Sequence, residues 1–144
     1  MQITLQNTGK RYNRDWIFRR LSYVFEPGRS YAITGSNGSG KSTLLQVIAG
    51  ATLHSEGSLE YRQNEKKIEP ESAFENISIA APYLDLVEEM TATEMLQFHS
   101  GFKTLVKPIP EILEFVGLQN AANKQIRYYS SGMKQRLKLA QAFF

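Results

Sequence analysis

The chain has 144 residues and a formal charge of +3, from 17 Lys+Arg against 14 Asp+Glu, with 42% apolar and 22% charged residues. These are the proportions of one ordinary globular domain and exclude disorder and low-complexity repeats. The absence of cysteine excludes a disulfide framework, a thiol nucleophile and a thiolate metal site.

The first elements read as short strands. Ile3 and Leu5 alternate with polar residues, and Trp16-Ile17-Phe18, Leu21 to Phe25 and Tyr31-Ala32-Ile33 follow, separated by turn signals at Asn13-Arg14-Asp15 and Pro27-Gly28. Leu44, Leu45, Val47 and Ile48 suit a helix from Ser42 to Ile48, with Gly50 in a capping position. Period-2 alternation returns from Gly57 to Tyr61, Arg62 to Glu69 reads as a loop or hairpin, and Ile77 to Ala81 reads as a short apolar strand. Thr91-Ala92-Thr93-Glu94 has the form of a capping box opening a helix through about Gly101. A second helix is expected over Pro108 to Val116 before Gly117, and a third from about Ser131 onward. The N-terminus carries no apolar leader, and no stretch approaches the roughly 18 apolar residues of a membrane span.

Between the Tyr31 to Thr34 strand and the following helix stands Gly35-Ser36-Asn37-Gly38-Ser39-Gly40-Lys41-Ser42, the pattern G-x-x-x-x-G-K-[ST]. Glycines let such a loop curl so that successive N–H groups face a phosphate, and the following helix aims its positive end at the same anion. Lys41 supplies a charge to the β- and γ-phosphates, and the Ser42 hydroxyl is placed to ligate Mg²⁺. At ordinary residue frequencies the pattern arises by chance in about 0.5% of chains this long, so an incidental Gly/Ser loop is a poor alternative.

The run Gly35 to Gly50, GSNGSGKSTLLQVIAG, followed by ATLHSEGSLEY, resembles the nucleotide-binding domain of ABC (ATP-binding cassette) transporter proteins. Tyr129-Ser130-Ser131-Gly132-Met133-Lys134-Gln135-Arg136 resembles the same family's signature, usually L-S-G-G-Q before a basic residue, Gln and Arg. The resemblance implies an α/β P-loop NTPase fold with an ABC-type core, an antiparallel β subdomain and a helical subdomain. Its divisions would be residues 1–84 for the β subdomain and P-loop core, 85–130 for the helical subdomain and 131–144 for the signature helix. It implies ATP and Mg²⁺ as ligands, with Gly35, Ser36, Asn37, Gly38, Ser39, Gly40, Lys41, Ser42 and Thr43 around the phosphates and Ser42 on the metal. Tyr12 falls where the family places an aromatic ring stacked on adenine, and Ile17 would pack against the ribose or base edge. Ser130, Ser131 and Gly132 would meet the γ-phosphate of ATP held by a partner subunit.

Three departures qualify the match. Ser131 replaces the first signature Gly, and Met133 replaces the Gln. The Gln that the family carries after its second apolar strand is missing, since Ile77 to Ala81 runs into Pro82-Tyr83-Leu84; Tyr83 and Asp85 are the neighbouring polar candidates. The Asp that holds Mg²⁺, the Glu general base and the switch His would follow the signature helix, so Gln141-Ala142-Phe143-Phe144 is expected to lie within a longer domain, short of its Walker B strand. No catalytic base is therefore assigned, His54 and His99 being expected as solvated surface residues. Without the later strands, the sheet would have a gap between the phosphate-loop strand and the Ile77 strand.

The function so implied is the ATP-binding subunit of an ABC transporter, in which ATP closes two such domains head to tail and hydrolysis drives separate transmembrane subunits. The subunit itself would not span the membrane; it would be cytoplasmic, peripheral at the inner face of the cell membrane. The alternative is a soluble ABC ATPase acting on nucleic acid or the ribosome, and a P-loop kinase or GTPase is third because it makes the signature a coincidence. Nucleic acid is the weaker partner, because the net charge is small and the one modest basic cluster is Lys124, Arg127, Lys134, Arg136 and Lys138.

Overall fold

A computed structural model describes residues 1–81 and 84–144. The chain divides into two compact units, Met1–Ile77 and Ser78–Phe144.

The first unit is built on a long hairpin of β1 (Gln2–Tyr12) and β2 (Asp15–Phe25). The chain reverses at Asn13, whose φ of 53° lies in the left-handed region that asparagine tolerates. β3 (Glu56–Gln63) pairs with the other side of β1, and the short β4 (Lys66–Ile68) completes a sheet of order β2-β1-β3-β4 in which every pairing is antiparallel. The polar tract after Tyr61 is thus a hairpin, turned at Asn64 and Glu65 with φ of 49° and 66°, the two positive values of a tight reversal. The β1–β3 register slips between Gln6 and Gly9. Across that slip Gly57 has φ of 76°, and a Cβ on it would stand 2.3 Å from the Asn7 carbonyl oxygen, so only glycine permits the approach.

α1 (Lys41–Ile48) follows the phosphate loop and ends at Ala49 and Gly50, as its apolar spacing predicts. Val47 and Leu5 are buried in this unit, together with Tyr61 from β3. The Tyr61 hydroxyl donates to the Ile48 carbonyl at 3.0 Å, tying the sheet to the last turn of α1. Burial pushes its phenol pKa up to about 12.

Two expected strands are corrected. Tyr31 to Thr34 and Ile77 to Ala81 form no ladder, and no parallel pairing occurs among the described residues. A strand is stable only when its N–H and C=O groups find a neighbour, and no described strand lies alongside either stretch. Tyr31 instead packs edge-on against Phe25 at 5.0 Å, and its hydroxyl accepts from the Glu26 N–H at 2.8 Å.

The second unit is helical. α2 (Ala92–Ser100) opens with the predicted capping box: the Glu94 N–H donates to Thr91 Oγ1 at 3.2 Å, and the Thr91 N–H donates to Glu94 Oε2 at 2.8 Å. That backbone bond is the main reason the Glu94 carboxylate is held below its usual range. α3 (Ile109–Phe115) ends before Gly117, and α4 (Ser131–Phe143) follows two short 3₁₀ turns. Leu96, Ile112, Leu118, Ile126 and Leu137 form the buried centre where these elements meet. Arg136 reaches from α4 to the end of α3 and donates to the Val116 and Gly117 carbonyls at 2.8 and 2.9 Å, a cationic cap on a helix C-terminus.

Tyr61→Phe in the intact protein is expected to cost about 1 kcal/mol at neutral pH, through the lost bond to Ile48. Because folding raises the phenol pKa, Tyr61 favours the fold fully below the unfolded pKa of about 10 and loses that contribution as pH climbs towards the folded value. The wild-type thermal midpoint should therefore fall between about pH 10 and about pH 12 more steeply than that of the variant. Parallel slopes would remove Tyr61 as the alkaline-sensitive group.

Candidate nucleotide-binding site

The phosphate loop is shaped by its last glycine. Gly40 is the N-cap of α1 with φ 88° and ψ 8°, and no side chain caps the helix. The first N–H groups of α1 are thus left to whatever anion or water approaches. A Cβ at Gly40 would stand 2.5 Å from Ile17 Cγ2, so the loop rides directly over β2. Ser36, Asn37, Gly38, Ser39 and Ser42 are exposed, and Thr43 is half-buried in the first turn. The Lys41 ammonium donates to the carbonyls of Gly35 at 3.0 Å and Ser36 at 2.7 Å, which holds a positive charge on the loop itself. Donors, dipole and cation converge there, and the chemistry fits a polyphosphate.

Tyr12 ends β1 at the tip of the long hairpin and is 46% exposed, so its ring is accessible to a stacking partner. Ile17 lies beneath Gly40. Cations brace this hairpin in a way that sequence reasoning misses: Trp16 carries the Arg19 guanidinium at 4.0 Å and Arg11 at 5.5 Å on its ring, while Arg19 also grips the Glu56 carboxylate at 2.9 Å. The Arg19–Glu56 contact joins residues far apart in the chain and leaves no periodic trace.

Ser130, Ser131 and Gly132 belong to the second unit. Ser130 caps α4, its Oγ accepting from the Met133 N–H at 3.3 Å. A serine hydroxyl that accepts one bond retains its proton for donation to an anion. Above Gly132, an added Cβ would meet only Ser130 Oγ, at 4.0 Å, so packing within the unit does not demand glycine there. Tyr129, just before, is buried and donates to the Ala121 carbonyl at 2.6 Å, fixing where α4 starts.

The basic cluster is largely consumed within the unit. Lys134 pairs with Glu88, Arg127 with Glu89 at 3.5 Å, and Arg136 is the helix cap described above. Tyr83 lies outside the described residues, and Asp85 is exposed. His54 and His99 are corrected from solvated to partly buried; burial is the largest cause lowering the His99 pKa, followed by nearby Lys103. Among the described residues no helix is long and apolar enough to cross a membrane.

A phosphate-cradling loop on an uncapped helix, beside an antiparallel sheet, defines a P-loop nucleotide-binding protein. The family model for ABC transporters matches residues 18–144, and the chain belongs to that family. It is 36% identical over 145 residues to the uncharacterised ABC transporter ATP-binding protein YxlF of Bacillus subtilis (strain 168), covering 97% of this chain and 48% of that protein. Nod factor export ATP-binding protein I of Rhizobium johnstonii is 31% identical, with 97% and 47% covered. The chain thus spans about half the length of the curated relatives it matches. A solved ATP-binding subunit of an ABC transporter has the same fold, with a TM-score of 0.84 at 23% identity over 99% of this chain and 62% of that one.

Proposed function

We propose that the intact protein is the ATP-binding subunit of an ABC transporter, hydrolysing ATP to drive separate transmembrane subunits from the cytoplasmic face of the membrane. The observation that carries this reading is the uncapped N-terminus of α1, with the Lys41 ammonium already gathered onto the Gly35 and Ser36 carbonyls. Gly35 to Thr43 surround the β- and γ-phosphates, Tyr12 stacks on the base and Ile17 lines the ribose side. Ser42 would hold Mg²⁺, which when bound neutralises phosphate charge; phosphate and water oxygens complete the shell such an ion prefers.

Ser130, Ser131 and Gly132 act in trans. They close on the γ-phosphate of ATP bound to a second ABC ATPase domain, head to tail, through the Ser130 O–H, the Gly132 N–H and the positive end of α4. The open surface over Gly132 supports this role. The internal pairing of Lys134, Arg127 and Arg136 favours the transporter reading over a nucleic-acid-acting ATPase, because it removes cations from a phosphate-binding face.

Lys41→Ala in the intact protein is expected to abolish Mg-ATP binding, since no other side-chain cation stands in the loop; unchanged affinity by calorimetry would sink the assignment. In protein blocked in hydrolysis, ATP should drive dimer formation and ADP should not, because only the triphosphate reaches the partner's α4. Ser130→Arg should prevent dimerisation while leaving monomer affinity for ATP intact. Sedimentation of wild type and variant with each nucleotide checks this, and equal monomer fractions in all four samples would leave Ser130 a helix cap alone.

A further inference from the structure

The hairpin end that carries Tyr12 is fastened to the segment leaving α1. The Ser55 N–H donates to the Gly9 carbonyl at 2.7 Å, and the Arg11 N–H donates to Ser55 Oγ at 3.2 Å. Between these bonds the Lys10 side chain reaches Leu53, its ammonium donating to that carbonyl at 2.8 Å. The same ammonium lies over the Tyr12 ring, 4.7 Å from its centroid. The cation is thus fixed at two points, by a carbonyl on the exit from the phosphate-loop helix and by the face of the exposed ring.

We propose that Lys10 is a positioning residue for the nucleotide base: held by Leu53, it covers one face of Tyr12 and so fixes the ring with its other face turned to the base. The inference rests on the stacking role of Tyr12 proposed above. An exposed tyrosine at a strand end has free χ1 and χ2 rotation, and a base that stacks on it must first stop that motion. A cation on the rear face meets that cost before the base arrives. Because Leu53 lies five residues beyond the end of α1, the bridge also ties the ring to the helix whose N-terminus receives the phosphates.

The experiment compares dissociation constants of ATP and inorganic tripolyphosphate, measured by calorimetry on the intact protein, for wild type, Lys10→Met, Lys10→Arg, Tyr12→Ala and the Lys10→Met/Tyr12→Ala double variant. Lys10→Met should weaken ATP about two- to fivefold, the scale of an exposed cation–π contact, and leave tripolyphosphate unchanged. Lys10→Arg, which keeps a cation over the ring, should bind ATP as wild type does. In the Tyr12→Ala background, Lys10→Met should add nothing, since its effect passes through the ring. Equal weakening of ATP and tripolyphosphate would overturn the inference by making Lys10 a plain attractor of phosphate, as would an undiminished effect in the double variant. A loss with Tyr12→Ala but none with Lys10→Met overturns the inference and leaves the stacking reading standing, whereas wild-type ATP affinity in Tyr12→Ala overturns both.

Discussion

The structure of the nucleotide site depends on one constraint: the backbone at Gly40 must enter α1 from the left-handed region while passing within contact of Ile17. An L residue there would meet both a φ penalty and the Ile17 side chain, and the loop would have to lift from β2. Entry in this conformation also leaves no side chain on the helix N-terminus. The first-turn N–H groups remain unsatisfied by the protein, and that deficit is what gives an anion its favourable place. A conventional serine or aspartate cap would stabilise the helix and occupy the same donors.

An open helix end costs stability at one terminus, and the first unit compensates at the other. Tyr61 is buried and bonds the Ile48 carbonyl, one of the C-terminal groups that would otherwise lack a partner. Gly50 then turns the chain with φ of 73° towards Leu53 and Ser55, which fasten to β1. The phosphate loop, α1 and the Tyr12 ring are thereby linked through a short run of chain.

What could be read from the sequence was local in origin. The phosphate loop, the Thr91/Glu94 capping box and the glycine after α3 are each set by residues a few positions apart, and each stands where the spacing predicts. The stretches at Tyr31 and Ile77 have apolar composition suited to strands, but a strand is completed by its neighbour and not by its own residues. The contacts of Lys10 with Leu53, Arg19 with Glu56 and Arg136 with Val116 join positions far apart in the chain. Nothing in a single sequence pairs such residues, so the ion pairs of Lys134 and Arg127 and the helix cap made by Arg136 emerge only from the fold.

The two helix N-termini assigned to ATP are built differently, and the difference matches their proposed work. α1 is uncapped and carries its own cation in Lys41, so its phosphate site is formed within one unit of one chain. α4 is capped by Ser130, which takes up the Met133 N–H, is packed through Leu137 and Ala140, and has its start pinned by Tyr129, so it is held in place without any ligand. A helix end that must wait for ATP carried by another subunit needs such a cap, because unsatisfied donors would otherwise cost stability for as long as the partner is absent. When the partner arrives, the Ser130 hydroxyl need not surrender its bond to Met133, since its proton is still free to donate. On this reading the capped end contributes little to holding nucleotide in the monomer and acts chiefly when two subunits meet, which makes the γ-phosphate the group that distinguishes the closed state from the open one.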